Sequence, residues 1–452
     1  MFEIGLDLSS NKISAVELFK KRNDIYIKNA GIVDIEPHAI SSGELVDSVV
    51  LTNGLKELWK NFKFQKKIIN IGLSGIKLII KEIELPLTED KDIERAINFQ
   101  IDEYIPFPKE NIIFDFYTIE KGSNSSKIML IGVMKNVINS FVKAVEDAGL
   151  KVNSVDLNCF AFYRALNFLY NFKKLLLAES NSSLCLIYFG IDTSIIEFAY
   201  NNEVRYPRFI NSSINSFIDN LNKKLNLPMD ELKRKIFEFD FELLLIKESK
   251  KKKDEDNKNI NQEQEINNSL KSLNEDNKNN SINNLNSNSD VTNEIGSNLS
   301  SDYLNDNISN EEGNKINNIQ NTEEVKNFGD LDQKNKNVVT EKDNIEDLSL
   351  KIKDSLKISA NQLVNEIIRS NDHFLQENRD LKINKILIAG ENLKNIDKYI
   401  EKNLKIPVER ISINKIIYND LLKKNNLFKE GNLDNLANNL IIPTGLALRG
   451  IK

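Results

Sequence analysis

The chain is poor in the residues that most catalysis and metal binding rely on. Among its 452 residues there are two His and two Cys. With only His38 and His373 to draw on, the sequence offers no basis for a histidine-built metal centre or for Ser-His-Asp chemistry. Cys159 and Cys185 stand in apolar runs and read as reduced core thiols of a cytosolic protein, not as a disulfide frame. The formal net charge is −6, so nothing points to a general nucleic-acid binder. No apolar run reaches the length of a membrane span. The start, Met1-Phe2-Glu3-Ile4, reads as a strand without a charged leader or signal peptide. The expectation is a cytoplasmic protein, large enough for two or more domains with real cores, that meets any membrane through a partner.

What is present is a repeat. Phe2-Glu3-Ile4-Gly5-Leu6-Asp7-Leu8-Ser9-Ser10-Asn11-Lys12 is an apolar strand running into a small, polar turn, and Ile13 to Phe19 is a second strand. Leu184 to Phe189, Gly190-Ile191-Asp192-Thr193-Ser194 and Ile195 to Tyr200 repeat the arrangement. Each unit continues through a polar hairpin into a third strand, Ile25 to Ile35 and Val204 to Ile210. Gly lets the backbone approach a ligand, and hydroxyls with free N–H groups at a tight turn form a concave anion site. The Asp repels phosphate but can hold a hydrated Mg²⁺ that bridges to it. Gly, Asp and Ser also serve as plain turn formers. The repetition of turn and flanking strands favours two facing phosphate clamps.

The rest of the chain alternates strands and helices. Gly54 to Phe62 has helical spacing, and Lys67 to Leu73 returns as a strand. Lys77 to Met134 reads as a strand–helix–strand–strand module. Its first strand stops at Pro86, Thr88 caps its helix, and Ile105-Pro106-Phe107-Pro108 ends it. Val137 to Ala148 and Phe160 to Tyr170 are amphipathic helices on either side of a strand at Val152 to Asp156. Two helices, Ser213 to Leu225 and Met229 to Ile246, follow the second unit. From Lys250 to about Asn344 the composition turns to Asn, Lys, Asp, Glu and Ser, which buries too little apolar surface to offset chain entropy and is expected to be disordered. Order resumes near Ile345 with a long helix, a buried strand at Lys385 to Ala389, a helix at Ile396 to Leu404, and a short helix entered through Pro443.

This arrangement resembles the actin-like ATPase superfamily. The resemblance implies an α/β, actin-like two-lobed fold with duplicated β-meander/helix units and an inserted strand–helix–strand–strand subdomain. Residues 1–76 and 135–170 would form the first lobe, 77–134 the insert, and 171–249 with 345–452 the second lobe, interrupted by 250–344. It also implies ATP and Mg as cofactors. Gly5, Asp7, Ser9, Ser10, Asn11 and Lys12 would form the first phosphate loop and Gly190, Asp192, Thr193 and Ser194 the second. Glu366, Arg369 and Gly390 would lie by the nucleoside, and Asp7 and Asp192 would be the metal ligands.

A narrower resemblance is to the type IV pilus assembly protein PilM family. It rests on Asp102-Glu103-Tyr104-Ile105-Pro106-Phe107-Pro108, on Asn365-Glu366-Ile367-Ile368-Arg369-Ser370 and on Gly445-Leu446-Ala447-Leu448-Arg449-Gly450. It implies a nucleotide-binding scaffold of the pilus inner-membrane platform. Its partners would be the cytoplasmic tail of a PilN-like membrane protein and other platform components, with homo-oligomers possible in the family. Tyr104, Ile105 and Phe107 would line the tail-binding groove. Two features depart from the superfamily pattern. Glu391 follows Gly390 where a second Gly is usual, and Asn158-Cys159-Phe160 lacks the Gln or Glu that orients an attacking water. No catalytic residue is therefore assigned, and any bound nucleotide is expected to be cleaved slowly, since phosphoryl transfer depends on placement. An actin-like ATPase or kinase is the alternative. An FtsA-like division protein would need an amphipathic helix beyond Lys452, where this sequence stops.

Overall fold

The structure is a computed structural model that describes residues 2–22, 24–75, 77–172, 181–245, 333–411 and 438–451. Strands β1 (Phe2–Leu8), β2 (Lys12–Lys21) and β3 (Asp24–Asp34) form an antiparallel meander. A short hairpin, β4 (Ile40–Ser41) and β5 (Glu44–Leu45), leads to helix α1 (Ser48–Phe62). The helix starts ahead of Gly54 because the Asp47 side chain accepts from the N–H groups of Val49 and Val50, a cap that satisfies donors the first turn leaves open. Strand β6 (Ile68–Leu73) then pairs parallel to β1.

The inserted module follows: β7 (Ile79–Leu85), α2 (Asp90–Tyr104), β8 (Ile112–Lys121) and β9 (Ser126–Met134), with antiparallel order β7-β9-β8. Ile93, Ile97 and Ile101 recur every fourth residue, so they share one face of α2, and all three are fully buried against the sheet. The cap is Glu89, without a side-chain bond, and not Thr88. Helix α3 (Lys135–Asp147) returns the chain to β10 (Lys151–Leu157), parallel to β6. The first sheet thus reads β10-β6-β1-β2-β3.

Helix α4 (Asn158–Tyr170) begins directly from β10. Strands β11 (Ser182–Phe189), β12 (Ser194–Tyr200) and β13 (Glu203–Ile210) repeat the meander. Then come α5 (Ile214–Leu225), opened by a reciprocal Ser213–Ser216 cap, and α6 (Met229–Glu238). The expected helix to Ile246 stops at Glu238, where Phe239 turns extended. Most of the stretch expected to be disordered lies outside the described residues. Helix α7 (Gln333–Glu377) nevertheless starts inside it, well before Ile345. Strand β14 (Lys382–Gly390), α8 (Ile396–Leu404), β15 (Val408–Arg410) and α9 (Ile441–Arg449) complete the chain. The second sheet, β13-β12-β11-β14-β15, copies the strand order and directions of the first.

Two helices lie between these sheets. A single apolar cluster runs from Ile4, Leu6 and Ile71 through Phe162 of α4 and Leu446 of α9 to Leu184, Leu186 and Leu387 on the inner face of the second sheet. A second cluster covers the outer face of that sheet with α5 to α8. Helix α9 is apolar on all sides from Ile441 to Ala447 and is buried on all sides, as such a helix must be. It fits so closely that a Cβ on Gly5 would come within 2.0 Å of the Pro443 carbonyl oxygen.

Candidate functional site

The turn after β1 and the turn after β11 face each other. Asp7, Ser9 and Lys12 come from the first, and Gly190, Asp192 and Thr193 from the second, with Tyr188, Ser74, Asn158, Glu391 and Asn439 closing the walls. Asn158, the first residue of α4, donates to Asp7 Oδ1 at 2.9 Å. Burial pushes the Asp7 carboxyl up to about 6, while the Asn158 bond and the Lys12 charge pull it back. Asp192 accepts from Asn215 at 2.6 Å and from the Ser10 hydroxyl. Burial raises its carboxyl as well, opposed by those bonds and by His38. Lys12 Nζ lies 2.6 Å from Glu391 Oε1 and 3.0 Å from Asn439 Oδ1.

The other expected nucleotide residues are placed elsewhere. Gly5 is committed to packing under α9, where there is no room for a ligand. Ser194 is fully buried, and its hydroxyl is used inside the second turn, accepting from Gly190 N–H and donating to the Ser212 carbonyl. The Asn11 carbonyl holds the loop by accepting from Ile35 N–H at 2.9 Å, and its side chain is not among those lining the cleft. Gly390 takes φ +92°, a conformation that favours glycine, and so turns Glu391 across the cleft. Glu366 and Arg369 pair with each other at 3.0 Å, and Glu366 also pairs with Arg208 at 3.1 Å. They line a separate polar hollow of about 630 Å³ beside β13 and α5. Next to that hollow, Ser212 accepts from Ser194 and the first residues of α5 bond to the second turn, Ile214 N–H to the Gly190 carbonyl and Asn215 N–H to the Ile191 carbonyl.

The donor set suits a magnesium polyphosphate: the carboxylates of Asp7 and Asp192 with Glu391 beside them, one ammonium and the hydroxyls of Ser9 and Thr193. Among the described residues no three His, Cys, Asp or Glu form a metal cage, so a cation here would be held largely by water and phosphate oxygens, as Mg²⁺ usually is. The free space is about 40 Å³, room for a few waters, whereas ligand pockets span about 300–1,000 Å³. The residues fit the group, and the cleft must part to admit it. Asp156, two residues before Asn158 in the chain, is not free to orient a water. It is clamped by Arg164 and by Arg449, the latter at 2.9 Å.

That clamp closes one end of a second feature, an apolar groove of about 480 Å³. Val155, Phe160 and Tyr163 form one wall, Ile113 to Tyr117 of β8 another, and Glu203 and Val204 the third. The groove meets five consecutive residues of β8. Neighbouring strand residues point to opposite faces, so it runs along the strand's open edge. Tyr104, Ile105 and Phe107 are not in it. Ile105 is buried in the module's own core, and Tyr104 and Phe107 pack against that core. The Tyr-Ile-Pro-Phe-Pro loop therefore ends α2 and packs on the module's own core. The module is tied to the second sheet instead by Glu82, which pairs with Arg205 at 3.2 Å and accepts from Tyr206 N–H at 2.8 Å.

A family model described as Type IV pilus assembly protein PilM matches residues 5–242, more than half of the chain. The chain belongs to the PilM family. Its structure is similar to one described as the PilM-PilN type IV pilus biogenesis complex, with a TM-score of 0.64 and 15% identity over 100% of this chain and 98% of that one. It is also similar to the ethanolamine utilization protein EutJ from Carboxydothermus hydrogenoformans, with a TM-score of 0.45 and 9% identity over 100% and 90% of the two chains. MreB 5 of Spiroplasma citri bound to AMPPNP matches with a TM-score of 0.41 and 10% identity over 94% and 97%. Family and fold agree with the actin-like, two-sheet architecture expected for a PilM chain. No helix among the described residues is long and apolar enough to cross a membrane.

The residues that sequence reasoning missed are Asn439, Arg164 and Arg449. Asn439 reaches Lys12 and Ser14, and Arg449 reaches Asp156, across most of the chain, while Arg164 joins nearby Asp156 to the distant Gly445 carbonyl; the sequence shows none of these pairings.

Proposed function

We propose that this PilM-family chain is a scaffold of the type IV pilus inner-membrane platform that holds the cytoplasmic tail of a PilN-like protein in the apolar groove. The observation that carries this reading is the groove itself, apolar and bordered by open strand edges. β8, β10 and β13 each end their sheets, and all three line it. An extended tail can pair with such an edge through its backbone while its apolar side chains fill the hollow. Phe160 and Tyr117, in edge-to-face contact at 5.8 Å, are the anchors it would meet.

The cleft is proposed to bind Mg-ATP. Asp7 and Asp192 would hold the hydrated cation, and Lys12, Ser9 and Thr193 the phosphates. When bound, the nucleotide supplies a charged bridge between the two turns. Asn158 faces Asp7 with an amide and offers no proton acceptor of carboxylate strength, so hydrolysis is expected to be slow. The test is calorimetry with a synthetic tail peptide. Phe160→Ala should weaken the peptide at least tenfold and leave Mg-ATP affinity within twofold. Peptide affinity unchanged by Phe160→Ala would refute the groove, and turnover at about 1 s⁻¹ or faster would replace the scaffold with an enzyme.

A further inference from the structure

The anion site of the cleft already has an occupant. Lys12 comes from the first sheet and Glu391 from the second, so their 2.6 Å contact spans the cleft. Their side chains are 13% and 16% exposed, so water and salt screen the pair little. The carboxylate is placed by backbone, not by a floppy loop. Gly390 is left-handed, and Glu391 N–H donates to the Phe189 carbonyl at 2.7 Å. Asn439, the third partner, is anchored in turn, since its carbonyl accepts from Ser14 Oγ at 3.0 Å.

We propose that Glu391 is a resident anion of the nucleotide site, taking the lysine that a phosphate would take and holding the two sheets closed without a nucleotide. The proposal rests on reading the cleft as a nucleotide site. It also fixes what can enter. An incoming ligand must displace a carboxylate from a charge-assisted bond and sit among Asp7, Asp192 and Glu391, three negative groups. A monophosphate brings too little charge to compete for Lys12. A polyphosphate competes, provided a divalent cation comes with it to offset the carboxylates. The site therefore selects magnesium polyphosphates and disfavours metal-free nucleotides and monophosphates.

The experiment uses the full chain with Glu391→Ala and Glu391→Gln. Amide hydrogen exchange at residues 7–12 and 390–391, without nucleotide, reads closure. Calorimetry with Mg-ATP, metal-free ATP and AMP reads binding. Glu391→Ala should exchange at least tenfold faster at these amides and bind Mg-ATP at least tenfold tighter. Glu391→Gln, which keeps the shape and loses the charge, should show the same direction and retain the wild-type melting temperature. Magnesium pyrophosphate added to Glu391→Ala should restore slow exchange. Wild-type exchange in both variants overturns the proposal, as does Mg-ATP affinity unchanged from a wild type that binds it. If no variant binds Mg-ATP while Glu391→Ala still opens, the nucleotide reading fails and the closure by Glu391 stands.

Discussion

Glu197 is a buried carboxylate that the fold must carry. It sits in β12 opposite Leu186, on the face that meets α4, and is fully buried. Neither of its oxygens has a hydrogen-bond partner among the described residues. Burial pushes its carboxyl well above the ordinary range, and the Arg164 charge only partly offsets this. The folded chain therefore keeps a proton that the unfolded chain releases from about pH 4.5 upward. Where the unfolded state binds fewer protons, stability falls as pH rises. Denaturation midpoints should accordingly fall from pH 5 toward pH 8, and Glu197→Gln should flatten that slope and raise stability at pH 8. An identical slope in the variant would mean that other groups set it. The same burial raises the thiols of Cys159 and Cys185, which fits the reading of both as inert core residues.

Among the elements, the inserted module separates packing from binding. Ile105 is 1% exposed and its Cδ1 fills the space over Gly132, so Ile105→Ala should cost about 3 kcal/mol, in the usual range for a buried aliphatic. Neither that change nor Phe107→Ala should alter tail-peptide affinity beyond twofold. Denaturant unfolding and calorimetry on the same two variants check both halves. A tenfold loss of peptide with unchanged stability would return the loop to the groove. Glu82→Ala should act differently. It leaves Arg205, 7% exposed in the pair, as a buried cation without its partner, a loss of about 3–5 kcal/mol, and amide exchange should rise in β7 and β13 first. The module was legible in the sequence because its signals are local: Pro86 stops a strand, and isoleucines recur at helical spacing. Where Tyr104 to Phe107 pack was not, because an apolar, proline-stiffened loop reads alike as core and as docking anchor. The repeat was legible for the same local reasons, down to both turns. Which side chains meet across the cleft was not, since Lys12 with Glu391 and Asn439 is a pairing of distant segments.

At the scale of the whole molecule, the cleft and the groove share two rigid connectors. Helix α4 puts Asn158 on Asp7 in the cleft and Phe160, Tyr163 and Arg164 in the groove. The segment around α9 puts Asn439 on Lys12 and Ser14 at one end and Arg449 on Asp156 at the other. Arg164 also donates to the Gly445 carbonyl at 3.1 Å, which ties the two helices together. A Cβ on Gly445 would lie 1.8 Å from the Ala161 carbonyl oxygen, so they cannot slide apart without losing close packing. A tail seated against Phe160 and the Asp156 clamp would therefore push on the same pair of helices whose other ends contact the two turns of the cleft. Coupling of this kind is reciprocal. Saturating tail peptide should change Mg-ATP affinity by at least about fivefold, the lower end of ordinary allosteric coupling, and saturating Mg-ATP should change peptide affinity by the same factor. Asp156→Asn weakens the clamp between the connectors and touches neither turn of the cleft. It should bring both factors toward one while each ligand, measured alone, still binds. Equal affinities with and without the second ligand in the wild type would show that the two sites work independently.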